Sequence, residues 1–320
     1  LSAIFFGSLV NKINISISSI IGSFAVISGF FICAFINEIE ILRLIRAVSG
    51  VGSGLLIATG HRVLSASDSP ERSYATFTFL VSITGACFLF LAGMVAEEGG
   101  YSSLFKTFGF TFLIIFPLTL FAKTKLDSDI SQQPEKSNSS KNRLFLIIIL
   151  GVIFFAIPSG GMWAFVERLG VEIGISQYEI GKVIAYSLLV GVLAPVLVWF
   201  LGDRFGRKRP IIICLIIIII SLFYILKSMN FSSYLVGNIT WNFAYMVTVI
   251  FVLAAAARLS PDGKLASWLN ASTLLSQASA PIFFGLILTN HSFPDLLPYL
   301  MASTCLSLFC IFLTKNQLDK

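Results

Sequence analysis

Gly202-Asp203-Arg204-Phe205-Gly206-Arg207-Lys208-Arg209-Pro210 lies between an apolar run that ends at Phe200-Leu201 and another that starts at Ile211. Four basic residues and one acid so close together cannot sit in hydrocarbon, so this stretch joins two membrane helices at one water interface. Gly206 suits the left-handed conformation that a tight helix-to-helix turn needs. Asp203 offers a carboxylate to backbone N–H groups or to a nearby Arg.

Working outward, the rest of the chain agrees with a membrane setting. It is 56% hydrophobic and 12% charged over 320 residues, with a mean hydropathy of +0.90. Apolar runs of roughly 20 residues, the length of a membrane-crossing helix, recur throughout. The expected fold class is therefore all-α, a polytopic membrane helical bundle. The net charge of +6 matters for where it falls and gives no reason to expect nucleic acid as a partner. The five cysteines lie inside apolar runs without a C-x-x-C pair, which points to packing rather than to metal or disulfide chemistry.

The runs place spans at 16–36, 41–64, 74–95, 104–122, 144–166, 180–201, 211–226, 234–257, 265–288 and 296–313. A half-span precedes them at 1–10, and the polar stretch 123–143 reads as a flexible linker. Leu1 opens the sequence inside an apolar segment, so the expectation is a twelve-helix design without its first one and a half helices. The expected domains are a half bundle at 1–122, the linker at 123–143 and a second half bundle at 144–320. Sixteen of the 22 Lys and Arg residues fall on alternate loops and adjoining helix ends of one side. By the positive-inside rule that side, with the linker and the C-terminus, is cytoplasmic, and the inner (plasma) membrane is the expected location.

An internal repeat supports two halves. Ser69-Pro70-Glu71 and Ser260-Pro261-Asp262 each pair a capping Ser with Pro at the first helical position and an acid in the first turn. They are 191 positions apart, and aligning Asn11-Lys12 with Asp203-Arg204 gives 192. Two landmarks at one offset imply six-helix halves related by an axis along the membrane normal.

Within the span 41–64, Arg46, Gly50 and Gly54 recur every fourth residue, which puts a guanidinium and two bare backbone patches on one face. Trp199-x-x-x-Asp203-Arg204-x-Gly206-Arg207-Lys208 resembles the G-x-x-x-D-R-x-G-R-K/R loop of the major facilitator superfamily, with Trp199 in place of the first glycine. The stretch 42–54 resembles a second motif of that family, with Ser49 where Gln is usual. The resemblance implies a secondary transporter without ATP drive. It would move a small organic solute by alternating access through a cavity between the halves, with protons as a candidate coupling ion and no cofactor. Asp203, Arg204, Gly206, Arg207 and Lys208 would then form a cytoplasmic latch. Two rival readings remain: a non-transporting remnant of such a carrier, and a membrane enzyme, for which no convergent His, Asp or metal-ligand cluster is visible.

Several residues are candidates for the pathway or for coupling. Pro158-Ser159-Gly160-Gly161 should interrupt its helix and leave carbonyls unpaired, with Trp163 and Glu167 following on one face. Asn238, Trp241, Asn242 and Tyr245 form a polar and aromatic stripe at helical spacing, and Asn270, Thr273 and Gln277 form another. Arg46 is an intramembrane charge, which should face the bundle interior. Glu167 is the acid nearest to the interior of any span, which makes it the candidate proton carrier.

Overall fold

The computed structural model describes residues 2–9, 14–120, 139–228, 230–315 and 317–319, and the side chains of 89–94, 96–98, 118–120, 139–141 and 228 are not among those described. The described backbone is helical apart from its turns. The helices are α1 (Ser2–Leu9), α2 (Ile15–Cys33), α3 (Ile39–Ser65), α4 (Pro70–Leu120), α5 (Ser139–Glu172), α6 (Gln177–Gly191), α7 (Leu193–Leu201), α8 (Lys208–Ser228), α9 (Phe231–Leu259), α10 (Lys264–Leu288) and α11 (Leu297–Leu313). Among the described residues, eight helical segments are long and apolar enough to cross a bilayer.

Some boundaries differ from expectation for local reasons. The loop expected at 96–103 is reduced to one residue: Gly100, at φ 63 and ψ −164, breaks an otherwise helical stretch into two helices. Only glycine takes that backbone conformation without steric cost. α5 begins at Ser139, inside the stretch read as linker, while 123–138 lie outside the described residues. The span 180–201 is divided at Val192 into α6 and α7, where Pro195 removes the N–H that the Gly191 carbonyl would accept.

The chain divides into two compact units. The first comprises Leu1–Ser67, Leu80–Lys136 and Ser260–Trp268; the second comprises Asp68–Phe79, Ser137–Leu259 and Leu269–Lys320. The units follow the two halves of the sequence except for one exchange. The start of α4 belongs to the second unit, and the approach to α10 belongs to the first. These are the segments that carry the repeated Ser-Pro-acid signature.

In the first unit, α2 starts at Asn14, whose side chain accepts from the Ile17 N–H at 3.0 Å. α2 and α3 cross closely because a Cβ on Gly52 would stand 2.7 Å from Ala25 Cβ and 2.9 Å from the Gly22 carbonyl oxygen, a small-residue contact typical of membrane helices. Phe30 stacks on Phe112 at 5.5 Å between centroids and meets Phe105 and Phe108 edge-on or tilted.

The second unit is built on α9, whose residues from Ile250 to Ala257 are all buried. Hydroxyl and amide groups tie its neighbours to it. Tyr234 donates to the Val166 carbonyl at 2.9 Å, and Ser221 and Thr240 hydroxyls meet at 2.7 Å.

Pro158 does not interrupt α5, contrary to expectation; the helix runs through it. The missing N–H would have bonded to the Phe154 carbonyl four residues back. That oxygen instead accepts from Ser303 Oγ of α11 at 2.7 Å, and one turn earlier Ser307 Oγ donates to the Gly151 carbonyl at 2.8 Å. A neighbouring helix supplies the lost donor, so the break expected from the sequence is repaired by packing. Gly160 has a separate role. A Cβ there would stand 2.5 Å from Gln277 Cα, so the glycine lets α5 and α10 touch backbone to backbone.

Candidate functional site

Two sites emerge in the second unit. The first is a charge cluster around the basic turn. Gly206 takes φ 69 and its N–H donates to the Asp203 carbonyl at 2.9 Å, closing the turn before α8. Arg207 then points inward. Its Nε donates to Glu71 Oε1 at 2.6 Å, its Nη2 lies 2.5 Å from the same oxygen, and its Nη1 donates to the Leu318 carbonyl at 3.2 Å. The Arg207 and Glu71 side chains are 5% and 1% exposed, so this is a buried ion pair whose members depend on each other. Arg258 Nη2 stands 4.0 Å from Glu71 Oε2 and donates to the Asp68 carbonyl at 3.1 Å.

Asp203 does not play the part expected of it. It is exposed, as is Arg204. The acid that receives the N–H groups at the start of α8 is Asp319, whose Oδ1 accepts from Arg207 at 2.6 Å and Lys208 at 2.9 Å. A carboxylate there satisfies orphan donors and complements the helix dipole. Lys208 Nζ reaches back to the Lys315 carbonyl at 2.5 Å. The chain near its end thus straps the basic turn, a role no sequence motif signalled. Trp199, in place of the motif's first glycine, lies under the Arg72 guanidinium, 5.2 Å from ring centroid to Cζ. The first-half counterpart, Asn11-Lys12, lies outside the described residues.

The second site is a cavity of about 500 Å³ lined by residues of α5, α6, α9 and α10, among them Ser159, Trp163, Trp241, Asn242, Tyr245 and Gln277. Its volume falls in the range of small-molecule pockets. The stripes converge here because α5, α9 and α10 pack together, with Gln277 Nε2 donating to the Tyr245 hydroxyl at 2.8 Å. Trp241 is 3% exposed, and its indole N–H has no hydrogen-bond partner among the described residues. Asn242 lines the cavity and also donates to the Ser187 carbonyl of α6 at 2.7 Å, so one amide serves both the wall and the helix packing.

The other candidates lie elsewhere. Asn238 is buried and donates to the Tyr234 carbonyl of its own helix at 2.6 Å, away from the cavity lining. Glu167 is exposed, one turn beyond Trp163 on α5. Arg46 is exposed in the first unit, with its guanidinium 5.1 Å from the Phe30 ring centroid, where the aromatic face supplies the attraction. Tyr245 belongs to the same stripe as Asn242, and its pairing with Gln277, which joins two helices, has no local signal.

Comparison with solved structures gives the fold its name. The E. coli fucose:proton symporter superposes with a TM-score of 0.77 over 98% of this chain and 87% of its own, at 13% identity. The chain has the major facilitator fold. The human organic anion transporter TETRAN matches at TM-score 0.77 and 15% identity, covering 98% of this chain and 80% of its own. The proton:xylose symporter XylE matches at 0.76 and 12%, covering 97% and 82%. No protein-family model and no curated protein matches the sequence. With eight described helical segments able to span a bilayer, a chain of this fold is a multi-pass integral membrane protein.

Proposed function

We propose that this major facilitator chain is a secondary transporter that moves a small organic solute by alternating access, and that the cavity walled by Trp163, Trp241, Asn242, Tyr245 and Gln277 is its solute-contact surface in the second unit. The observation that carries this reading is the buried, unpartnered indole N–H of Trp241 in the wall of a cavity large enough for a ligand. A buried donor left unmade costs about 1–3 kcal/mol, which a solute acceptor would recover. The solved relatives in fold include symporters for fucose and xylose and an organic anion transporter, which supports small solutes as cargo and protons as a candidate coupling ion.

The charge cluster is the cytoplasmic latch in this reading, with Arg207 and Glu71 rather than Asp203 at its centre. Glu167 remains the coupling candidate, and its Gln variant should lose solute movement driven by an imposed pH gradient.

Alternating access is tested by sidedness. An Ala164→Cys reporter in the cavity wall should react with a membrane-impermeant maleimide in right-side-out vesicles and, separately, in inside-out vesicles. Reaction from one side alone, or from neither, overturns the proposal.

A further inference from the structure

A second chamber lies against the first. It has a volume of about 160 Å³ and is lined by residues of α5, α9 and α10, including Val152, Phe155, Val249, Asn270 and Thr273. Tyr245 and Gln277 belong to both linings. On all three helices the second chamber is displaced toward the same end. It takes Phe155 where the first takes Trp163, Val252 where the first takes Trp241, and Asn270 where the first takes Pro281. Averaged over each lining, the shift is about six to eight residues per helix, an offset of about 9–12 Å. The direction is toward Arg258 and Lys264, the basic end.

The two side chains common to both chambers hold each other in place. Gln277 Nε2 donates to the Tyr245 hydroxyl at 2.8 Å, and the Tyr245 ring stacks on Phe155 at 5.0 Å and 12°. Stacking on a buried Phe holds one face of the tyrosine, while a single neutral hydrogen bond holds its tip. In the second chamber, Asn270 Oδ1 is buried and has no hydrogen-bond partner among the described residues. The two chambers therefore present complementary unmet groups: the Trp241 N–H donor in the first and the Asn270 acceptor in the second. Among the described residues, no Asp, Glu, Lys, Arg or His lines either chamber.

We propose that the Tyr245–Gln277 hydrogen bond is a gate between the solute cavity and a second binding chamber on its basic side, and that this chamber admits uncharged, hydrogen-bonding groups. The inference rests on the transport reading above. An uncharged donor on the solute satisfies Asn270 Oδ1 once the gate parts, whereas a charge would enter a wall with nothing to pair it. Breaking one neutral hydrogen bond is a small barrier, suited to a gate that opens in every cycle.

The test uses the full chain in lipid nanodiscs, with its five native cysteines replaced and one reporter introduced at a time. Ala164→Cys reports on the first cavity and Thr273→Cys on the second chamber. The probes are N-ethylmaleimide, which is neutral, and 3-maleimidopropionate, which is anionic. Tyr245→Phe removes the hydrogen bond and keeps the ring on Phe155. It should raise N-ethylmaleimide labelling of Thr273→Cys about fivefold relative to Ala164→Cys, the shift expected for one neutral hydrogen bond. Gln277→Leu should do the same, which guards against a defect particular to one variant. The anionic probe should lag at Thr273→Cys, relative to Ala164→Cys, by about tenfold, as expected for a buried unpaired charge.

An unchanged ratio in both variants, with Ala164→Cys reactive, overturns the gate and leaves the transport reading standing. Equal ratios for the two probes overturn the uncharged chamber. If Ala164→Cys in the otherwise unaltered chain reacts with neither probe, the solute cavity itself is not open to solutes, and both readings fall.

Discussion

The two exchanged segments carry the same Ser-Pro-acid signature, and different contacts stand out around each. Asp68–Phe79, in the second unit, is held by charge: Glu71 is buried against Arg207, and Arg258 bonds the Asp68 carbonyl. Ser260–Trp268, in the first unit, is closely packed. A Cβ on Gly263 would stand 2.6 Å from the backbone of Arg62, and one on Gly7 would stand 2.8 Å from Ser267 Cβ. The Trp268 indole donates to the Ile4 carbonyl at 3.2 Å. Asp262 accepts from the Ser260 hydroxyl and from the Lys264 N–H.

The helix starts differ accordingly. α4 begins at Pro70, as the signature implies, whereas α10 begins at Lys264, three residues past Pro261. Gly263 at φ 78 delays it, because a left-handed residue cannot continue a right-handed helix. A repeat in sequence can thus preserve a position while the helix start beside it shifts. The lesson is that matched motifs identify corresponding places, and their partners must be found separately.

The largest effect that would break this contrast is at Arg207. Arg207→Ala leaves Glu71 buried without its main partner and should destabilise the protein by about 3–5 kcal/mol. Thermal unfolding in detergent reads this, and adding Glu71→Gln should restore much of the loss by removing the stranded charge. If the double variant is no better than the single, charge is not what fixes the start of α4. Next is Gly263→Ala, where a positive φ and a Cβ against the Arg62 backbone together should cost about 2–4 kcal/mol. That loss should be insensitive to salt, whereas a response like that of the ion pair would erase the distinction.

Smaller effects sharpen the picture of the strap. Asp319→Ala removes the acceptor at the start of α8 and should cost about 1 kcal/mol, the usual worth of a helix cap. It should also speed proteolysis of the chain's last residues. Asp203→Asn should stay within about 0.5 kcal/mol of the parent, as for an exposed side chain without a structural role. An effect at Asp203 larger than at Asp319 would return the turn to the reading that its motif invited.

Much of the fold was legible because bilayer hydrocarbon imposes long apolar runs, and the turns between them keep their charges. The candidate cavity was partly legible too. Trp241, Asn242 and Gln277 stood out as polar groups at helical spacing, and the helices bring all three to one wall. Asn238 showed the same spacing and bonds within its own helix instead, because spacing gives a face and says nothing about which neighbour covers it. Tyr245 became prominent only through Gln277, and Asp319 only through the α8 N-terminus.

The sequence by itself determined which segments are long and apolar enough to cross a membrane, where the basic turn falls and which helices carry polar stripes. Those properties are written in composition and in local periods of a few residues. Tertiary structure alone decided who answers each polar group. Glu71 finds Arg207 across 136 positions, and Ser303 completes the carbonyl that Pro158 left open across 149. A polar group buried away from water must be met by protein instead. The choice of partner therefore belongs to the packing of distant helices, which no local pattern encodes.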